Sequence, residues 1–183
     1  RLMNVFSYLI DSSLELRLFE LRHADELFQL TQDNYAHLAE FLPWVEDINS
    51  HADCRAYIRE GLQQFALNDG FQAGLWLDDA LIGSIGYHNI DWNNRKTELG
   101  YWLDYRHTGH GYMTRALEAI LTYSFDTYHL NRVQVRIAIT NVRSRALAER
   151  VGFTLEGVLR DDVVVRGQYV DHVLYSVLAR DWT

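Results

Sequence analysis

The sequence predicts a mixed α/β (α+β) domain, one sheet flanked by helices, and not a helical bundle or a purely doubly wound fold. Three observations carry this. Strict apolar alternation marks strands, most clearly at Val133, Val135, Ile137 and Ile139. Helical spacing marks the stretches between them, most clearly at Ala116, Leu117, Ile120, Leu121 and Phe125. The elements then read β, α, α, β, β, β, α, β, α, β, β, a meander followed by a β-α-β crossover that should be right-handed. The 183 residues contain no linker, repeat or low-complexity tract, so residues 1–183 read as a single domain.

In chain order, "SSLELRLFEL" alternates through Leu14, Leu16 and Leu18 as a first strand. "HADELFQLTQDNYAHLAEFLPWV" has helical spacing through Leu27, Phe28 and Leu30 and should stop near Pro43. A second helix, "CRAYIREGLQQFALN", opens at Asp53 or the serine before it and ends at Asn68-Asp69-Gly70. "FQAGLWL" and "ALIGSIGYHNI" form a hairpin across Asp78-Asp79, and "KTELGYWLDY" follows the "DWNNR" loop as the next meander strand. "YMTRALEAILTYSFDTYHL" is a long helix and "RVQVRIAIT" a strand. "VRSRALAERVGF" is a short helix capped by Gly152, and "VVVRGQYVDHVLYSVLA" reads as two strands around Gly167.

Composition narrows the function classes. A net charge of −8 argues against direct nucleic-acid binding, so an anionic ligand would need a local cradle. A lone Cys54 allows neither an internal disulfide nor a Cys-based metal cluster, and suggests a reducing, cytoplasmic setting. No apolar run is long enough for a membrane span, and the N-terminal "RLMNVFSYLIDSS" lacks a signal-peptide pattern.

The most informative stretch is "YRHTGHGYMTRAL". Gly109 and Gly111 lie between a strand and a helix, where the first helical N–H groups lack partners and the helix dipole is positive. Glycines there permit unusual φ values and close approach, which suits a phosphate; Arg106 could add a charged contact. The alternative is a tight turn with no ligand. Spacing excludes a P-loop, and Thr114 stands where a dinucleotide fingerprint needs its third glycine. Asn141 opens the next helix at the same sheet end and could be a second wall of one site or only a helix cap.

These segments resemble one family. "YRHTGHGYMTRAL" is similar to the Gln/Arg-x-x-Gly-x-Gly/Ala signature of the GCN5-related N-acetyltransferases (GNAT), and "NVRSRALAERVGF" to their Asn-x-x-Ser/Ala…Gly-Phe segment. "KTELGYWLDY", "FLPW" and "FTLEG" resemble the ribosomal-protein N-terminal (alpha-amino) acetyltransferase branch. The resemblance runs from about Leu14 to Trp182. It implies a splayed, seven-stranded mixed sheet with acetyl-CoA in the splay and no metal. The diphosphate is expected on amides from His107 through Thr108, Gly109, His110 and Gly111 to Tyr112, with Met113 beside them and Arg106 near. The pantetheine arm is expected along Trp102 and Leu103, hydrogen-bonded to Asn141.

The implied reaction is direct acyl transfer from a thioester to a neutral amine. An α-amine with a pKa near ~8 is far more often neutral at pH 7 than a lysine near ~10.4. Glu98 is the candidate base, with His88, Asp91, Asp161 and Asp162 behind it. Some enzymes of the branch carry a glutamate base where this chain has Val163. Ser144 is the candidate proton donor to the departing thiolate, because the tyrosine that many members of the superfamily carry is replaced by Ala148. A backbone N–H near Leu103 could stabilise the oxyanion. Phe41 and Trp44 are expected to floor the acceptor groove, with Glu46 and Asp47 drawing a cationic amine. The acceptor is expected to be a protein N-terminus; a polyamine, an aminoglycoside or a non-catalytic acyl-CoA sensor stay open. A metal at His107 and His110 lacks a third ligand, and "GSIG" lacks the setting of a serine nucleophile. The valine-rich C-terminal strands make a homodimer plausible.

Overall fold

The computed structural model describes residues 6–182; the first residues of the N-terminal run read above lie outside them. Among the described residues, eight strands form one sheet in the order β1-β2-β3-β4-β5-β6-β8-β7. They are β1 (Ser7–Leu9), β2 (Leu14–Leu18), β3 (Gln72–Leu77), β4 (Ala80–Asp91), β5 (Lys96–Leu103), β6 (Arg132–Ala138), β7 (Thr154–Val165) and β8 (Gln168–Leu178). The expected count was seven. The eighth is β1, three exposed residues whose pairing with Leu16 and its neighbours leaves no alternation to detect. β7 is also longer than the valine run implied, because two bulges let "TLEGVLRDDVVV" pair as one irregular strand.

The helices are α1 (Ala24–Asp33), α2 (Tyr35–Leu38), α3 (His51–Ala66), α4 (Tyr112–Asp126) and α5 (Val142–Val151). The expected continuous helix up to Pro43 is broken at Asn34. That side chain is buried, donates to Leu30 O at 3.0 Å and accepts from Tyr105 N at 2.9 Å, so it serves a distant loop. Pro43 then starts a 3₁₀ turn, Pro43–Asp47. α3 begins one turn before "CRAYIREG", with Ser50 Oγ accepting from Asp53 N at 3.3 Å. In the hairpin turn, Asp78 and Asp79 both have positive φ (47° and 70°), as a two-residue I′ turn requires.

Two cores cover the two faces of the sheet. Leu117, Ile120, Leu121 and Phe125 of α4 and Val151 of α5 bury against Leu99, Val133, Val135 and Val173. Leu27 and Leu30 of α1 and Ile58 of α3 bury against Trp76, Leu81 and Trp102 on the other face. Each large apolar side chain so buried contributes roughly 1.5–3 kcal/mol. The second core stops at β5. Beyond it the same face carries Gln134, Arg136 and His172, so half of that face stays polar.

β5 and β6 are the one parallel pair among the described strands, with α4 crossing between them. Their ladder covers only Lys96, Thr97 and Glu98 against Arg132, Val133 and Gln134. From Leu99 and Val135 onward the strands part, and the β5 edge from Leu99 to Leu103 faces no strand. The expected splay is therefore present.

Candidate active site

A cleft of about 1700 Å³ runs through this splay and is lined by residues from both faces of the sheet. On one side it is lined by Thr108, Gly109 and Gly111–Arg115, and by Asn141 and Ser144 at the start of α5. On the other it is lined by Phe41, Trp44, His88, Arg136 and His172. Glu98, Tyr101, Trp102 and Leu103 lie between the two.

The signature turn is held from below by one buried carboxylate. Asp104 is 1% exposed and accepts from Arg106 Nε at 2.9 Å, Arg106 N at 3.2 Å and His107 Nδ1 at 3.0 Å. Burial alone would raise its pKa; these hydrogen bonds more than offset that and hold it below the ordinary carboxylate range. Arg106 and His107 thus brace the turn, and neither they nor His110 line the cleft. The amides of His107 and Thr108 are also used, donating to Asp104 O and Tyr105 O. Among the described residues, the unpaired amides run from Gly109 to Thr114, a set shifted two residues along the chain from the one the resemblance implied. Gly109 and Gly111 have φ of +82° and +76°, and a Cβ at either would meet nothing within 4 Å. Backbone conformation, and not crowding within the chain, therefore requires glycine here. Gly111 is the N-cap of α4, so the free amides and the positive helix end coincide.

At α5, Asn141 caps the helix as a bland reading would have it, its Oδ1 accepting from Ser144 N at 3.2 Å. Its Nδ2 has no partner among the described residues. Ser144 Oγ lies 3.0 Å from the hydroxyl of Tyr101, a contact the sequence did not suggest because the two are 43 positions apart. Burial pushes the Tyr101 phenol up to about 12, so it stays protonated at neutral pH.

On the opposite face Glu98 is fastened at both oxygens. It accepts from Arg136 Nε at 2.8 Å and from Gln134 Nε2 at 3.0 Å. Arg136 also reaches Asp162 Oδ2 at 3.3 Å. The hydrogen bond it donates to Glu98 helps keep that guanidinium charged. Strand alternation sets Glu98 and Tyr101 on opposite faces of β5, so Glu98 and Ser144 approach the splay from opposite sides. His88 packs over Gly100, where an added Cβ would come within 3.0 Å of its Nε2. Trp44 meets Trp102 with ring centroids 6.2 Å apart, half-exposed at the cleft wall, whereas the Trp102 side chain belongs to the core. Asp47 and Glu40 line the cleft, while Glu46 is 3.9 Å from Arg166 at the β7–β8 turn. His172 was missed in the sequence: one of eight histidines in an alternating strand carries no local signal. Among the described residues no cluster of three His, Cys, Asp or Glu side chains could hold a metal ion.

An acetyltransferase (GNAT) domain family matches residues 13–154, spanning both the signature turn and the start of α5. The chain belongs to the GNAT acetyltransferases. It is thus an acyltransferase of the N-acetyltransferase type, and the resemblance read from its motifs holds. Among its relatives, Bacillus subtilis YdaF is 37% identical over 97% of this chain and 98% of its own length. The ribosomal-protein-serine acetyltransferase of Escherichia coli is 30% identical over 91% and 93%. The solved structure of RimL, a ribosomal L7/L12 alpha-N-protein acetyltransferase in complex with coenzyme A, superposes with a TM-score of 0.91 at 26% identity, covering 94% of this acetyltransferase and 97% of that chain. That likeness agrees with the sheet and its splay.

Proposed function

We propose that this acetyltransferase transfers the acetyl group of acetyl-CoA to the N-terminal α-amine of a protein, of the ribosomal-protein type. One observation carries the reading: a continuous cleft joins unpaired amides at one end to an acidic, aromatic-walled groove at the other. The diphosphate sits on the free amides of residues 109–114. The pantetheine arm lies against the open edge of β5 beside Trp102 and Leu103 and meets Asn141 Nδ2. A backbone N–H near Leu103 receives the oxyanion. Ser144 protonates the departing thiolate, with the Tyr101 hydroxyl supplying its proton. Trp44 and Phe41 form the apolar wall, and Asp47, Glu40 and the anchored Glu98 attract a cationic amine. The names of the relatives support a ribosomal-protein acceptor.

Thiol release from acetyl-CoA with peptides beginning Ser or Ala, a polyamine and an aminoglycoside tests the proposal. Peptides should be turned over with the highest kcat/KM. Preference for a small amine would overturn the protein acceptor, and tight acetyl-CoA binding without turnover of any amine would favour a sensor. We also infer a second copy as a partner, from the exposed Leu155, Val158 and Val164 along edge strand β7; a monomeric mass by light scattering would dismiss it.

A further inference from the structure

The acceptor side of the cleft contains a buried histidine without a hydrogen bond. His172 is 7% exposed, on β8, and lines the cleft. Its Nδ1 is buried and unsatisfied, 3.6 Å from Asp162 Oδ2. A buried ring nitrogen left in this way is costly, and its retention asks for a reason. Nε2 is neither hydrogen-bonded nor among the buried unsatisfied atoms, so it is the ring nitrogen open to the cleft. A carboxylate near Nδ1 favours the tautomer with its proton there and leaves Nε2 as an acceptor. Glu98 contrasts with this arrangement, since both of its oxygens are already engaged.

We infer that His172, oriented by Asp162, is the base that takes the proton from the acceptor amine. The inference rests on the amine acetylation proposed above. The neutral amine nitrogen attacks the thioester carbonyl and a C–N bond forms. The nitrogen's proton passes to His172 Nε2, and the Asp162 carboxylate near Nδ1 offsets the positive charge of the imidazolium so formed. The C–S bond then breaks, its electron pair leaves with sulfur, and the thiolate takes a proton from Ser144. Nitrogen loses one proton and sulfur gains one; the imidazolium gives its proton to solvent, and solvent restores the proton lost by the Ser144–Tyr101 hydroxyl pair. His172 is catalytic in this scheme and Asp162 is a positioning residue. The charged groups around the imidazole are Asp162 from β7, Arg136 from β6 and, through Arg136, Glu98 from β5. Beyond them, His88 lines the same cleft.

The test compares kcat/KM against pH for the intact wild type, His172→Gln, Asp162→Asn and Glu98→Gln, using one Ser-starting peptide. The peptide amine titrates equally in all four. Acetyl-CoA affinity and melting temperature are measured alongside. His172→Gln should lower kcat about 10²-fold, abolish an acid-side limb and leave acetyl-CoA affinity unchanged. Asp162→Asn should move that limb to lower pH, because losing the carboxylate disfavours the imidazolium. A limb that survives His172→Gln but disappears in Glu98→Gln overturns the inference, as does a parallel loss of kcat and acetyl-CoA affinity. Should His172→Gln melt below the assay temperature, an unshifted limb in Asp162→Asn overturns it. A wild type that binds acetyl-CoA yet acetylates no amine refutes the parent reading instead.

Discussion

The two ends of the cleft are made of different material. The end at α4 is backbone: unpaired amides at residues 109–114, two left-handed glycines and a helix terminus, braced by Asp104. The end at β6–β8 is side chain: Arg136, Glu98, Asp162 and His172, drawn from four strands and facing an aromatic wall from the Pro43–Asp47 turn. A backbone cradle needs a short run of residues with one conformation, so it recognises a group common to every reaction cycle. A side-chain groove can change residue by residue without disturbing the fold. The first end accordingly suits the shared cofactor and the second the particular acceptor.

Breaking the backbone end should have the largest effect. Gly111→Val places a β-branched residue at φ +76°, costs roughly 1–2 kcal/mol or more in strain and displaces the free amides. Acetyl-CoA affinity measured by calorimetry should fall more than about 10²-fold, and an unchanged affinity would separate the glycines from the cofactor. Next comes Ser144→Ala, which should lower kcat about 10-fold or more with little change in acetyl-CoA affinity. An unchanged kcat removes Ser144 from the chemistry. Trp44→Ala should act on the other end alone, raising acceptor KM several-fold while acetyl-CoA binding holds. Loss of both would mark Trp44 as a packing residue.

The smallest effect concerns stability on the polar face. Arg132 binds Glu156 at 2.6 Å and Ser176 Oγ does so at 2.6 Å, which holds the carboxyl at about 2, below its ordinary 4.5. A depressed pKa stabilises the fold above about 4.5, and this contribution fades as pH falls toward about 2. Glu156→Gln should therefore melt slightly below wild type near neutral pH, by an amount reduced by solvent screening. The two melting curves should converge in acid. A gap that persists there would mean that the substitution acts through packing.

Much of the backbone end was legible because its instructions are consecutive. "GHG" before a helical apolar period states both the φ requirement and the helix terminus within a few residues. Asn141 with Ser144 announces a cap in the same way. Even here tertiary contacts redistributed roles, since Arg106 and His107 grip Asp104 and do not face the cleft. Asn34 likewise broke a helix that its neighbours' spacing extends, because it bonds Tyr105 far along the chain.

Local period and turn chemistry thus determined the strands of the meander, the long crossover helix, the glycine turn and the family. They act between residues a few positions apart, where sequence order is itself spatial order. Only the folded sheet decided that β5 and β6 part after Glu98, that Tyr101 meets Ser144, and that His172 lies beside Asp162. Those pairings follow from register and strand order across the sheet, which no short window of sequence encodes.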